Sequence, residues 1–91
     1  MFKKSPTSGP FSSTLQMINE RLAVWNKGHV VPGEDPDFIR SDDFGNIMSY
    51  SHYGNSASDY GWEIDCAYIG DAPIQRPIHA KSRRQVHITQ Q

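Results

Sequence analysis

Trp62, Ile64, Cys66 and Tyr68 alternate with Glu63, Asp65 and Ala67 between Gly61 and Gly70, and this two-residue period constrains the fold more than any other feature. Successive side chains of a strand point to opposite faces, so the segment reads as a half-buried strand with Trp62 and Cys66 inward and Asp65 outward. Such a strand needs a second apolar layer. The chain offers one at Leu15, Ile18, Leu22 and Trp25, which recur at helical spacing. Ser13 and Gln16 stand in a capping-box relation ahead of this stripe, and Gly28 is placed to stop it, which predicts a helix over Thr14 to Asn26. The expected fold is α+β: an N-terminal helix packed on a small antiparallel sheet made from Ile47 to Tyr53 and Trp62 to Ile69.

Ninety-one residues make one small domain, near the lower limit at which a hydrophobic core alone suffices. Residues 1–11, rich in Ser, Pro and Gly, read as a flexible N-terminal arm. Residues 12–69 form the predicted domain and 70–91 a basic tail. Within the domain, Val30 to Pro36 is a predicted loop, since each proline biases its predecessor away from helix. Asp37 to Arg40 suits a short helical turn and Asp43 to Asn46 a tight one. Pro73 and Pro77 argue against regular helix before Ile78, and Ile78 to Thr89 fits a helix, a strand or a mobile tail. A single cysteine forbids an internal disulfide and a thiolate cluster for zinc. No apolar run approaches the roughly 20 residues of a membrane span, and the expectation is a soluble, cytoplasmic protein.

Charge is distributed unevenly. Between Glu34 and Asp65, eight acids stand against Arg40 alone, a balance of −7, whereas from Gly70 onward Arg76, Lys81, Arg83 and Arg84 outweigh Asp71 to give +3. The two regions are able to attract each other. A patch of −7 repels phosphates, which sequence-independent nucleic-acid binding requires a protein to neutralise. Asp35, Asp37, Asp42, Asp43 and Asp59 are therefore the candidate partner-binding residues, with a solvated acidic face as the alternative.

Val24 to Gly28, Arg40, Asp42-Asp43, Gly45 to Ile47, Tyr53-Gly54 and Tyr60 to Asp65 carry, in order and spacing, a resemblance to the pre-catalytic half of small bacterial and phage HNH nucleases. The resemblance implies that Asp65 occupies the position of a metal-holding aspartate. The following position, normally the general-base histidine, holds Cys66. Beyond it the family's metal-binding helix is not recognisable, and residues 67–91 contain no asparagine. The resemblance thus implies a truncated or diverged descendant in which Asp65 and Cys66 are vestigial.

An HNH site pairs a metal ion with an imidazole that takes a proton from water near neutral pH. A thiol buried in a strand face titrates above that range, so Cys66 reads as small core filler. His79 and His87 are candidates to rebuild a site with Asp65, against the plainer reading of surface histidines; His29 and His52 read as structural. Tyr50, Tyr53, Tyr60 and Trp62 suit either a stacking platform or the core. The reading that follows is a non-catalytic binding protein of phage or mobile-element origin, without a cofactor. Its partner would be a host protein or nucleoprotein complex with a basic groove, inhibited in the manner of an anti-CRISPR protein. The alternative is a reduced nicking endonuclease using a divalent metal. A missing metal-binding helix would leave an apolar edge near Trp62 and Ile64, to be covered by the tail or by a second chain in a homodimer.

Overall fold

Residues 10–89 are described by the computed structural model, with side chains over 15–86; the proposed N-terminal arm lies outside this range up to residue 9. The fold is α+β. Helix α1 spans Pro10–Trp25, strands β1 (His29–Val30), β2 (Ile39–Ser41) and β3 (Ile47–Ser49) follow, then a 3-10 turn (Tyr50–His52), strands β4 (Trp62–Ile69) and β5 (Ala72–His79), and helix α2 (Ala80–Thr89). Strands β1, β2 and β3 form one antiparallel sheet in that order, and β4 and β5 form a separate hairpin.

The sheet differs from expectation. Ile47 to Tyr53 does not pair along β4: its strand pairs β2 instead, Ile39 to Ser49 and Ser41 to Ile47, and its end winds into the 3-10 turn. Only Tyr53 bridges to Trp62, in parallel. The partner of β4 is the tail, with Trp62 opposite His79 and Ile69 opposite Ala72. Two residues close this hairpin, and Gly70, at φ +62°, supplies the positive φ that a II′ turn requires at its first central position. Residues 70–79 are thus part of the folded unit.

Helix α1 begins at Pro10, a residue suited to the first turn because its missing N–H has no helical partner there. Ser13 therefore lies inside the helix, not at its cap. At the other end Gly28 adopts no positive φ. Its role is space: a Cβ there would sit 3.2 Å from that of Arg40. The apolar stripe is also largely uncovered, with Leu15, Ile18 and Leu22 at 46%, 41% and 43% exposure. Only the last turn of α1 reaches the core, through Val24 and Trp25, which pack with Met48 and Trp62 and, at the margin, with Tyr50, Tyr53 and Ile64.

Aromatic packing dominates this small core. Trp62 lies 4.9 Å, centroid to centroid, from both Trp25 and Tyr53, and Tyr50 meets Trp25 edge-on at 5.4 Å. Each indole N–H finds a backbone carbonyl, Trp25 Nε1 at Pro36 (2.9 Å) and Trp62 Nε1 at Tyr50 (3.2 Å), as buried polar atoms must. Tyr50, Tyr53 and Trp62 are thus core or its margin, while Tyr60 is exposed. Among the described residues no helix is long and apolar enough to cross a membrane.

Candidate functional site

Asp42 and Asp43 sit together in the turn between β2 and β3, yet their environments are opposite. Asp42 is only 2% exposed. Its Oδ1 accepts from the backbone N–H of Phe44 (3.0 Å) and Asn46 (2.9 Å), and its Oδ2 from the backbone N–H of His79 (3.0 Å). The carboxylate therefore clamps the turn to the end of β5. It is not available to a docking partner, contrary to its place in the acidic set read from the sequence. Asp43 is exposed and accepts from His29 Nε2 at 2.7 Å and Arg76 Nη1 at 3.2 Å. The hydrogen bond from His29, above all, holds its carboxyl below the usual carboxylate range; partial burial opposes this and Arg76 reinforces it.

Arg76 joins this turn to the hairpin. Its Nε donates to Asp65 Oδ2 at 3.0 Å, while its guanidinium lies 5.2 Å from the Phe44 ring. Arg83 of α2 reaches the same strand, 3.6 Å from Glu63 and 3.7 Å from Asp65. The acidic middle and the basic tail thus meet as an ion-pair network inside the fold. Asp65 is buried and Cys66 exposed, the reverse of the expected orientation. The physical reason is that both faces of the hairpin are covered near its base. Trp62 meets the aromatic core, and the Glu63 and Asp65 face meets α2. The strand outruns the core, which leaves Cys66 and Tyr68 in solvent although they share the face of Trp62.

His79 cannot join Asp65 in a rebuilt site. It stands opposite Trp62, whereas Asp65 stands opposite Arg76, and directly opposed residues of a hairpin share a face while neighbours alternate. The two side chains occupy opposite faces. Both ring nitrogens are also engaged: Nε2 donates to the Asp59 carbonyl at 2.6 Å, and Nδ1 accepts from Lys81 N–H at 2.9 Å. His79 is the N-cap of α2, satisfying one of the donors that a helix start leaves free. No composition signal marked that role. His87 lies in α2, but its side chain is outside the described residues. His52 pairs with Ser58, a structural contact.

The remaining candidates separate. Asp59 is exposed beside a groove of about 500 Å³ that Lys81, Arg84 and His79 also line, so its setting is mixed in sign. Asp35 and Asp37 are exposed on the loop between β1 and β2, where Asp35 Oδ1 accepts the Asp37 N–H at 3.0 Å. The five acids do not form one surface. The chain matches no protein-family profile, no curated protein and no solved structure. Among the described residues no group of three or more His, Cys, Asp or Glu side chains is placed to hold a metal ion.

A second groove, of about 670 Å³, is lined by residues 64–68 of β4, Arg76 of β5, and Arg83 and Val86 of α2. Alternation marks Cys66 and Tyr68 but carries no sign of a groove, because residues 78–89 fit a helix, a strand or a mobile tail alike.

Proposed function

We propose that the chain acts by binding and not by catalysis, as an HNH-derived protein of phage or mobile-element origin that inhibits a host nucleic-acid-targeting complex in the manner of an anti-CRISPR protein. The observation that carries this reading is the division of the acids. Glu63, Asp65 and Asp43 are engaged by Arg76 and Arg83 inside the fold. Glu34, Asp35 and Asp37 are exposed on one loop, and no cation pairs with them among the described residues. The Asp35 to Asp37 hydrogen bond orders that loop, and Phe38, 62% exposed, adjoins it. Closely spaced carboxylates beside an aromatic ring suit a basic groove that normally receives phosphates and bases, and complementarity of this kind steers association and excludes wrong partners.

The vestigial centre supports the same reading. The carboxylate of Asp65 faces two guanidinium groups, and a cation added there would meet like charge. The test is inhibition of guide-directed DNA cleavage by a purified host effector complex. Inhibition is expected from the native chain, weakening as salt rises and lost on reversing Glu34, Asp35 and Asp37 to Lys without a change in melting temperature. Metal-dependent plasmid nicking that Asp65→Ala abolishes would replace this reading with the endonuclease one.

A further inference from the structure

The hairpin of β4 and β5 has two edges, and they are finished differently. Its turn closes at Ile69 opposite Ala72, so this pair and every second pair from it exchange backbone hydrogen bonds. The residues between turn their N–H and C=O groups outward: Pro73, Gln75, Pro77 and His79 on β5, and Trp62, Ile64, Cys66 and Tyr68 on β4. The β5 edge is poor in free donors, with only the Gln75 N–H left to present among the described residues. Pro73 and Pro77 have no N–H to present, Lys27 Nζ donates to the Gln75 carbonyl at 3.0 Å, and the His79 N–H goes to Asp42. On β4, the Trp62 carbonyl accepts from Gly54 N–H at 2.8 Å, and beyond it no other element hydrogen-bonds the outward groups of Ile64, Cys66 or Tyr68 among the described residues.

We infer that this open β4 edge pairs with the same edge of a second copy, in antiparallel register centred on Cys66, to make a continuous four-stranded sheet. The edge suits itself. Its outward residues recur at equal spacing about Cys66, so a two-fold axis there sets Ile64 of one copy opposite Tyr68 of the other and matches every free donor with an acceptor. In this register Asp65 faces Ala67 and Glu63 faces Ile69, so no two like charges stand directly opposite, an arrangement that would weaken the pair. Tyr68 and Ile69, 69% and 68% exposed, gain cover. None of this involves the loop at Glu34 to Asp37, so reversal there leaves the pairing unchanged.

The full chain should sediment as a dimer at micromolar concentration. Cys66→Pro removes an outward N–H that the β4 to β5 ladder does not use, as Pro77 already does on the other strand. Cys66→Lys keeps the ladder and places two like charges on the axis. Each is expected to weaken dimerisation by about tenfold or more while the circular-dichroism spectrum is retained. Opposed residues that exchange hydrogen bonds have Cα atoms about 5.5 Å apart, within disulfide range, so diamide should yield a disulfide-linked dimer of the native chain. A monomer at every concentration, a dimer indifferent to both substitutions, or no cross-link from a native dimer would each overturn the proposal, whatever other strand the edge then accepts.

Discussion

Asp42 shows how much one side chain can hold in a domain this small. Its two oxygens satisfy three backbone N–H groups from two distant segments, and the His79 N–H among them is buried. Asp42→Ala should lose about 1–3 kcal/mol through that donor alone. Asp42→Asn should cost nearly as much, because one remaining oxygen cannot serve both the turn and β5; urea denaturation of the two variants checks the equality. Reversal of Asp42 to Lys, harmless if the residue were the surface acid that charge counting implies, is expected to unfold the protein. Gly61 is equally constrained. A Cβ there would lie 1.8 Å from the Asn55 carbonyl oxygen, a backbone atom that cannot yield cheaply, so Gly61→Ala should destabilise by roughly 1–3 kcal/mol or more. Asp43 acts differently. Its folded pKa is lowered, so its contribution is complete above the ordinary value near 3.9 and disappears as pH falls through the lower folded value. The native chain and Asp43→Asn should therefore converge in stability below that point and differ above it, by no more than about 1 kcal/mol because the pair is exposed.

At the scale of elements, the helix, the Asp43 to Asn46 turn and the β4 strand were legible because each rests on local chemistry: a 3.6-residue period, a glycine at positive φ, a two-residue period. What these elements pack against was not legible. Alternation along β4 fixes which residues share a face, but it does not tell which face is buried when α2 covers one side and the aromatic core the other, and so the period alone puts Cys66 inward and Asp65 outward, the reverse of the fold. The stripe of α1 misleads for a related reason, since periodicity predicts a buried face only where there is a layer to bury it. Leu22→Ala, which a packed stripe would make costly, should change stability by well under 1 kcal/mol, near the range of surface substitutions, whereas Trp25→Ala should cost about 3–5 kcal/mol. The prolines of β5 conceal a strand for the converse reason: a proline disrupts a ladder only where its N–H would have entered it, and Pro73 and Pro77 occupy outward positions.

Across the whole molecule, the uneven charge visible in the sequence is partly resolved inside the fold, and this makes the tail a structural element. Arg76 spans Asp65 and Asp43 at 3.0 and 3.2 Å, while Arg83 stands 3.6 and 3.7 Å from Glu63 and Asp65. The distances rank the two. Arg76 is the more buried cation and makes the shorter, better directed bonds, and a hydrogen bond to a charged group contributes about 1.5–3 kcal/mol; Arg83 is nearer to the exposed pairs that contribute about 0–1 kcal/mol. A long charged side chain can contribute through its aliphatic stem as well as its charge, so methionine, which keeps a stem and removes the charge, is the proper substitution. Arg76→Met should lower stability clearly more than Arg83→Met. Sodium chloride raised toward 1 M, where the screening length is about 3 Å, should remove most of the Arg83 difference and little of the Arg76 one, because buried pairs are screened less. Equal losses for the two variants, or an Arg76 difference that salt erases, would mean that the tail is held to the acidic middle by diffuse attraction and not by the hydrogen-bonded geometry at Asp65.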